Sequence, residues 1–208
     1  MIIQNKEKLN IKCEPCKSIE EGEKIGAQLL KELTESGNGI GLAANQIGIN
    51  KRVCVLNIKD PIVLVNPKIV EKSEDKFAFM EGCLSFPGQA VKTQRHKWVK
   101  VQADNHNQTL FFSVWDDNGD GYDKDKYLQM AYETACIQHE IDHLDGITMY
   151  DRELIMEPVK RAVPKIGRNE KVTITDGTET KVIKYKKAIP LIKSGGWELS
   201  DIQINANT

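Results

Sequence analysis

The chain has 208 residues, of which 40% are hydrophobic and 28% charged, and its formal net charge is −1. This balance is typical of one globular domain with length to spare for an extension. The near-zero net charge disfavours nucleic-acid binding through a basic face, and no apolar run approaches the ~20 residues of a membrane span. An odd count of five cysteines and a polar N-terminus without a signal-peptide core indicate a reducing compartment, so we expect a cytoplasmic protein.

The first predicted element is a helix over Ser18–Leu33. Ser18 and Glu21 have the spacing of a capping box, and apolar residues then recur with the helical period. Gly37 predicts the end of this helix. The next stretch, Gly39–Gly48, predicts a tight loop entering a strand. It lacks the third glycine of a dinucleotide fingerprint, and no strand precedes it, so that function is disfavoured.

The middle of the chain is rich in predicted strands. Apolar and branched residues predict strands over Arg52–Ile58 and Ile62–Val70, with a turn at Asp60–Pro61. Trp98–Ala103 and Thr109–Trp115 are two further apolar runs. The polar residues between these last two runs predict that they form a hairpin.

Asp116–Asp123 resembles the beginning of a calcium-binding loop. Asp116, Asn118 and Asp120 fall at its first, third and fifth positions. The twelfth position is Tyr127 rather than the bidentate glutamate, and no helix precedes the loop. We therefore interpret this stretch as a polar turn.

A second long helix is predicted over Tyr127–Leu144, with Gly146 as its stop. His139 and His143 lie four residues apart on this helix and share one face, so both imidazoles can bind one metal ion. Glu140 follows the first histidine and is placed to hold and deprotonate a water molecule. The spacing therefore predicts a metal site.

A catalytic metal site usually takes three protein ligands and leaves one position open, so a third ligand is needed. The carboxylates and the five cysteines are the candidates. Cys136 lies near the histidines but in an apolar run, which favours a core role. Cys83 lies among glycines and a proline that allow tight backbone geometry, and coordination would keep its thiolate deprotonated. The CxxC of Cys13 and Cys16 has no second pair and predicts no zinc site.

The last quarter of the chain is predicted to be an extension. We expect residues 1–150 to form the catalytic domain and residues 151–208 to pack on that same domain. Lys171–Thr175 and Lys181–Tyr185 predict a hairpin. Pro190 and two glycines predict irregular chain after it.

Three segments, taken together and in order, resemble the signature motifs of the peptide deformylase family. They are GIGLAANQ at Gly39–Gln46, EGCLS at Glu81–Ser85 and QHEIDH at Gln138–His143. The resemblance implies an α+β fold in which antiparallel sheets wrap around a central helix carrying the HExxH motif. It also implies a hydrolase that removes the N-formyl group from N-formylmethionyl peptides of newly made proteins and releases formate.

The resemblance further implies three metal ligands, one catalytic acid–base and two oxyanion donors. The implied metal ligands are Cys83, His139 and His143. Glu140 is the implied acid–base, and the implied oxyanion donors are Gln46 and the backbone amide of Leu84. The family's ion is typically ferrous iron, with zinc, nickel or cobalt able to take its place. Thiolate and imidazole suit several divalent ions, so the spacing alone does not choose among them.

Substrate binding is expected through backbone pairing, with the peptide added as a strand along the Gly39–Gly41 loop. We expect an apolar pocket for the methionine side chain, and Glu81 is expected to pair with Arg95 and brace the loop that carries Cys83. The expected pocket walls are Ile40, Leu84, Ala135 and the stem of Arg95. The residues assigned to substrate binding are thus Gly39, Ile40, Gly41, Glu81, Arg95 and Ala135.

The expected partner is the formylated nascent peptide, with no membrane and no direct nucleic-acid contact. A transient association with the ribosome is left open, because many bacterial members end in a helix linked to ribosome contact and this tail predicts none. A viral source is also left open, in which case the compartment is the cytoplasm of the host cell.

Two rival functions remain at this point. An HExxH zinc peptidase would take a downstream carboxylate, such as Asp151 or Glu153, as its third ligand. A non-catalytic binder would have a closed site with four ligands.

Overall fold

The computed structural model describes residues 2–114, 124–155 and 166–200. It divides into two compact units, Met1–Ile155 and Met156–Thr208. None of the helices in the described ranges is long and apolar enough to span a membrane. The calcium-like stretch Asp116–Asp123 lies outside the described residues, and the packing of the C-terminal extension on the catalytic domain stays a prediction.

The described residues of the first unit form three helices and eight strands. The helices are α1 (Lys6–Leu9), α2 (Ile19–Ser36) and α3 (Lys124–Leu144), with 3-10 turns at Ala44–Ile47 and Met149–Arg152. The strands are β1 (Gly41–Ala43), β2 (Val53–Leu56), β3 (Ile62–Val65), β4 (Lys68–Lys72), β5 (Lys76–Cys83), β6 (Phe86–His96), β7 (Trp98–Gln102) and β8 (Leu110–Ser113).

These strands pair antiparallel throughout, in the orders β1–β2–β3, β4–β7–β8 and β5–β6. Helix α3 contacts strands of all three sheets. Its C-terminal half is buried, from Thr134 to Leu144. The α+β class predicted from the sequence is confirmed, and the residues of the HExxH motif lie on this buried half.

Helix α2 confirms the first predicted helix. The Ser18 hydroxyl accepts a hydrogen bond from the Glu21 backbone N–H at 3.1 Å, which satisfies one free donor of the first turn. The helix ends at Ser36 and, as predicted, is capped by Gly37, whose φ of 78° is the left-handed conformation that glycine adopts without strain. Leu29 and Leu33 are buried against the first sheet.

The prediction of one strand over Ile62–Val70 is wrong. The chain turns at Asn66, which has a φ of 52°, and Pro67 follows it. The two halves therefore become β3 and β4, which belong to different sheets. A proline cannot donate to a strand ladder, so it marks the break between them.

The long hairpin of β5 and β6 was not predicted. Its register shifts between Gly82 and Cys83, so that Cys83 pairs with Phe86 across the turn. Such a bulge re-aims side chains at the end of a strand. The segment that carries Cys83, which the sequence suggested to be a loop, thus lies at the end of a strand pair. By contrast, the hairpin of β7 and β8 is confirmed.

The second unit contains β9 (Lys171–Thr175), β10 (Thr180–Lys184), α4 (Tyr185–Lys193) and β11 (Glu198–Leu199). The predicted hairpin is present as the antiparallel pair of β9 and β10. The prediction of irregular chain after it is wrong, because α4 forms with Pro190 inside it. Burial of Ala188 against Val172 and Ile174 outweighs the low helix propensity of the proline.

Candidate metal centre

Three side chains that could hold one metal ion meet where β5 ends against α3. The Cys83 sulfur lies 3.3 Å from His143 Nε2, and His143 Nε2 lies 3.1 Å from His139 Nε2. All three donor atoms lie within 4.8 Å of one another. Within the described ranges, no other three histidine, cysteine or acidic residues converge in this way. The structure therefore brings together the three predicted ligands.

The chemistry of this donor set fits a transition metal. One sulfur and two imidazole nitrogens suit zinc, iron, nickel or cobalt rather than calcium or magnesium. Three protein ligands leave a further coordination position for water or substrate, which is the arrangement of catalytic sites. The closed four-ligand site that a non-catalytic binder would require is not found among the described residues.

Glu81 fixes the orientation of the first histidine. Its Oε2 lies 2.8 Å from His139 Nδ1, which places the ring proton on Nδ1 and leaves Nε2 for a metal. The same carboxylate accepts hydrogen bonds from the Arg95 guanidinium and, at 2.6 Å, from the Thr93 hydroxyl. The predicted pair of Glu81 and Arg95 is thus present, and it is buried.

The contact between Glu81 and His139 shifts the pKa values of both side chains. Burial alone would raise the pKa of Glu81, but hydrogen bonds from Arg95 and His139 outweigh it and hold the pKa at about 2. Burial alone would lower the pKa of His139, but hydrogen bonds to Cys83 and Glu81 outweigh it and raise the pKa to about 10. The Glu81 carboxylate therefore favours positive charge on His139, which a metal ion on Nε2 would supply in place of a second ring proton.

Glu140 lies beside the three ligands, and its environment differs from that of Glu81. Burial raises its pKa to about 7. Its Oε2 atom is buried and has no hydrogen-bond partner among the described residues. A carboxylate that changes protonation near neutrality, with one oxygen free, is suited to exchange protons with a bound molecule.

Gln46 presents its amide to the same place. Its Oε1 accepts from the Ala43 backbone N–H at 2.8 Å, which fixes the orientation of the amide. Its Nε2 then lies 3.1 Å from the Ser85 hydroxyl and 3.4 Å from the Cys83 sulfur. Leu84, directly after Cys83, lines the adjoining cavity.

A cavity of about 450 Å³ opens next to the three ligands. Five of the residues predicted to bind substrate line it: Gly39, Ile40, Gly41, Glu81 and Ala135. Arg95 does not line it, so its predicted role as a pocket wall is not supported. Arg95 is 2% exposed, and its guanidinium is occupied by Glu81 and Asp142.

Two aromatic residues of the cavity wall were not identified from the sequence. Phe79 on β5 and Tyr132 on α3 pack edge to face, with ring centroids 5.1 Å apart. They lie far apart in the chain and in different elements. Only the alternation of Phe77, Phe79 and Glu81 along one strand could have pointed to Phe79.

The carboxylates that a zinc peptidase would need lie elsewhere. Asp151 accepts hydrogen bonds at 2.8 Å from the backbone N–H and the hydroxyl of Thr148. Asp151 and Glu153 line a separate cavity of about 660 Å³ rather than the one at the ligands. Cys136 is a buried core residue, as predicted.

Comparison with known proteins decides the family. The family model of polypeptide deformylase matches residues 1–162. The chain belongs to the peptide deformylase family. It is 37% identical over 145 residues to a peptide deformylase of Dictyoglomus thermophilum, a match covering 69% of this chain and 85% of that protein. It is 39% identical over 132 residues to a peptide deformylase of Desulforudis audaxviator, covering 62% and 76%.

Solved structures agree with this assignment. A probable peptide deformylase from Synechococcus phage S-SSM7 superposes with a TM-score of 0.58 at 33% identity, covering 73% of this chain and 98% of that one. The peptide deformylase of Thermotoga maritima superposes with a TM-score of 0.58 at 28% identity, covering 71% and 92%. The protein is therefore a hydrolase that removes the N-formyl group from newly made peptides.

Proposed function

We propose that Cys83, His139 and His143 bind one divalent metal ion, with ferrous iron as the expected ion and zinc, nickel or cobalt as alternatives. The observation that carries this proposal is the convergence of the three donor atoms within 4.8 Å beside Glu140. When bound, such an ion supplies Lewis-acid chemistry that polarises the formyl oxygen and makes water nucleophilic at neutral pH. The residues around it then perform the remaining tasks.

The substrate peptide is held by backbone pairing at β1. This strand is at the edge of its sheet in the described structure, with β2 on one side. An extended peptide can therefore add to its other edge as a further strand. A Cβ at Gly39 would lie 2.5 Å from Leu33 Cδ1 and 2.6 Å from Leu84 Cδ1, so glycine lets the main chain run this close to the site.

The methionine side chain enters the cavity of about 450 Å³. Ile40, Leu84 and Ala135 provide aliphatic surface, and Phe79 and Tyr132 provide aromatic surface. An unbranched thioether fills such an irregular apolar space well and makes favourable contacts with aromatic rings.

Gln46 and Leu84 stabilise the negative charge that develops on the formyl oxygen. The Gln46 Nε2 donor is preoriented by the hydrogen bond from Ala43, and the Leu84 backbone N–H follows a ligand directly. Preoriented donors cost no reorganisation during the reaction, and losing one typically lowers the rate by ~10²–10³-fold.

Glu140 transfers the proton. The oxygen of water forms a bond to the formyl carbon while Glu140 takes the proton of that water. The carbon–nitrogen bond then breaks, and Glu140 delivers the proton to the departing nitrogen. Formate and a peptide with a free N-terminal amine result.

The identity of the metal is tested by reloading. Protein purified without oxygen and stripped of metal is divided and loaded with Fe²⁺, Ni²⁺, Co²⁺ or Zn²⁺, and formate release from a formyl-Met-Ala-Ser peptide is measured. We expect release that depends on added metal and is highest with Fe²⁺. Equal release by the stripped protein would contradict a metal site.

The catalytic machinery is proposed to lie wholly within residues 1–150, with the remainder as an extension. All assigned site residues fall between Gly39 and His143, inside the first compact unit. A transient association with the ribosome and a cytoplasmic location are further proposals, supported by the nature of the substrate as a nascent peptide. Co-sedimentation with ribosomes, with and without a formylated nascent chain, tests the first of these.

A further inference from the structure

A chain of four charged side chains runs from the first imidazole ligand to the surface. Glu81 holds His139 Nδ1 at 2.8 Å and is itself held by Arg95 Nη2 at 2.7 Å. The other branch of the Arg95 guanidinium, Nη1, bonds to Asp142. Arg152 closes the chain with two bonds to Asp142, at 2.7 Å and 3.0 Å.

The geometry of the last link is that of a guanidinium fork on a carboxylate. Arg152 Nη2 bonds to Asp142 Oδ1 and Arg152 Nε to Oδ2. Bidentate pairs of this kind fix orientation as well as distance. Asp142 Oδ2 also accepts from Arg95, so the carboxylate is held from both sides.

Charge balance explains why the outermost arginine matters for the innermost link. Glu81 and Asp142 carry two negative charges, and Arg95 and Arg152 two positive ones, so the buried row is neutral. Without Arg152 the row would carry an excess negative charge, and among the described residues the Asp142 carboxylate would keep only its bond to Arg95. The Arg95 side chain is 3% exposed, so movement there is transmitted to Glu81 rather than absorbed by solvent.

The turn that carries Arg152 is also fixed in place. The 3-10 turn Met149–Arg152 begins with Thr148, whose backbone N–H and hydroxyl both donate to Asp151 at 2.8 Å. Met149 is 1% exposed and anchors the turn in a buried cluster with Phe86. The Arg152 side chain, by contrast, is 43% exposed and can be changed without opening the core.

We propose that Arg152 is a positioning residue of the metal centre. Acting through Asp142 and Arg95, it holds Glu81 in the orientation that keeps the proton of His139 on Nδ1 and its Nε2 directed at the ion. This inference rests on the metal site proposed above. It predicts that a half-exposed arginine controls metal affinity without touching a ligand.

The test is the Zn²⁺ affinity of the stripped protein, measured by competition with a chromogenic chelator in wild type, Arg152→Gln and Arg152→Lys. We expect Arg152→Gln to weaken binding by ~10–100-fold, as outer-shell changes typically do. Arg152→Lys should restore only part of the affinity, because an ammonium group cannot form the fork. The visible absorption of bound Co²⁺ should change in Arg152→Gln, since a tilted imidazole alters the ligand field.

A matched control removes a different arginine at the same end of α3. Arg52 Nη1 bonds to Asp145 Oδ1 at 2.7 Å, and no hydrogen bond joins the side chains of this pair to Glu81 or Arg95 in the described structure. Arg52→Gln should lower the unfolding temperature and leave Zn²⁺ affinity and the Co²⁺ spectrum unchanged. Wild-type affinity in Arg152→Gln, or equal losses in both variants, would overturn the inference. Failure of the wild type itself to bind Zn²⁺ or Co²⁺ would instead overturn the metal site beneath it.

Discussion

Gly41 on β1 and Glu140 on α3 approach so closely that no side chain fits between them. A Cβ built on Gly41 would lie 2.5 Å from Glu140 Oε1 and 2.5 Å from the Cys136 sulfur. The glycine therefore sets the position of the proposed acid–base as well as the path of the edge strand. This contact joins two of the three sequence motifs, and it has a measurable consequence.

Replacing Gly41 by alanine should displace the Glu140 carboxylate. A misplacement of about 1 Å in a catalytic group can cost ~10²-fold in rate, and we expect a loss of that order in kcat. Metal content should not change, because none of the three ligands is touched. The control is Gly196→Ala, where a Cβ would meet nothing within 4 Å. Wild-type kcat in Gly41→Ala would contradict the placement of Glu140.

Cys83→Ala should remove a metal ligand. With two imidazoles left, metal affinity should fall by more than the ~10–100-fold that is typical of an outer-shell change. The metal-to-protein ratio after gel filtration gives the result. Glu153→Gln is the matched comparison, because a peptidase-type site would depend on a downstream carboxylate. Loss of metal in Glu153→Gln and its retention in Cys83→Ala would reverse the assignment.

Phe79 should favour methionine over its sulfur-free isostere. A sulfur–aromatic contact is worth ~0.3–1.5 kcal/mol, so the wild type should prefer formyl-methionyl to formyl-norleucyl peptides by roughly two- to tenfold in kcat/KM. Phe79→Leu keeps the wall apolar and should lower this ratio, leaving only the contribution of Tyr132. Phe111→Leu, at a side chain 60% exposed on β8, should leave the ratio unchanged. An unaltered preference in Phe79→Leu would remove Phe79 from the methionine pocket.

The turn between β9 and β10 should show an acid titration. Hydrogen bonds from the backbone N–H groups of Glu179 and Thr178 lower the pKa of Asp176 from 3.8 to about 2. Because the folded pKa is depressed, its stabilising effect is complete above the ordinary value and is lost as the pH falls through about 2. The amide signals of Thr178 and Glu179 in nuclear magnetic resonance spectra should titrate with that midpoint. A midpoint at the ordinary value would show that the turn does not form.

The parts of the fold that were predictable are those with strong local signals. Ser18 and Gly37 mark the ends of α2, and the apolar period of α3 runs directly into its histidines. The hairpin of β7 and β8 has apolar strands and a polar turn between them. In each case, local propensity and burial favour the same structure.

The wrong or missing secondary-structure predictions concern segments whose structure depends on tertiary packing rather than on local sequence. The β5–β6 hairpin is long, but β5 is mostly exposed or partly buried, and Gly82 and Gly88 lie on either side of the turn, which indicates a loop when read locally. The break at Asn66 depends on a positive φ that apolar patterning does not reveal. Helix α4 contains Pro190, and only its packing on β9 and β10 explains why it forms.

The candidate site shows the same division. Helical spacing alone predicts both histidines as ligands. Cys83 lies 56 residues before His139, and no local pattern links the two. Only the family resemblance assigned Cys83 to the same site. Asp142 and Arg152 were not singled out, because their function depends on Arg95 arriving from a strand 47 residues away from Asp142. Contacts of this kind between distant residues are set by topology rather than by local sequence.

The central claim is that Glu140 transfers the proton in deformylation at this site. The most direct test compares wild type and Glu140→Ala for formate release from formyl-Met-Ala-Ser, with metal content measured on the same samples. General acid–base catalysis typically contributes ~10²–10⁴-fold, so Glu140→Ala should lose at least that much in kcat while retaining its metal. A variant that keeps both its metal and wild-type turnover would show that another group moves the proton.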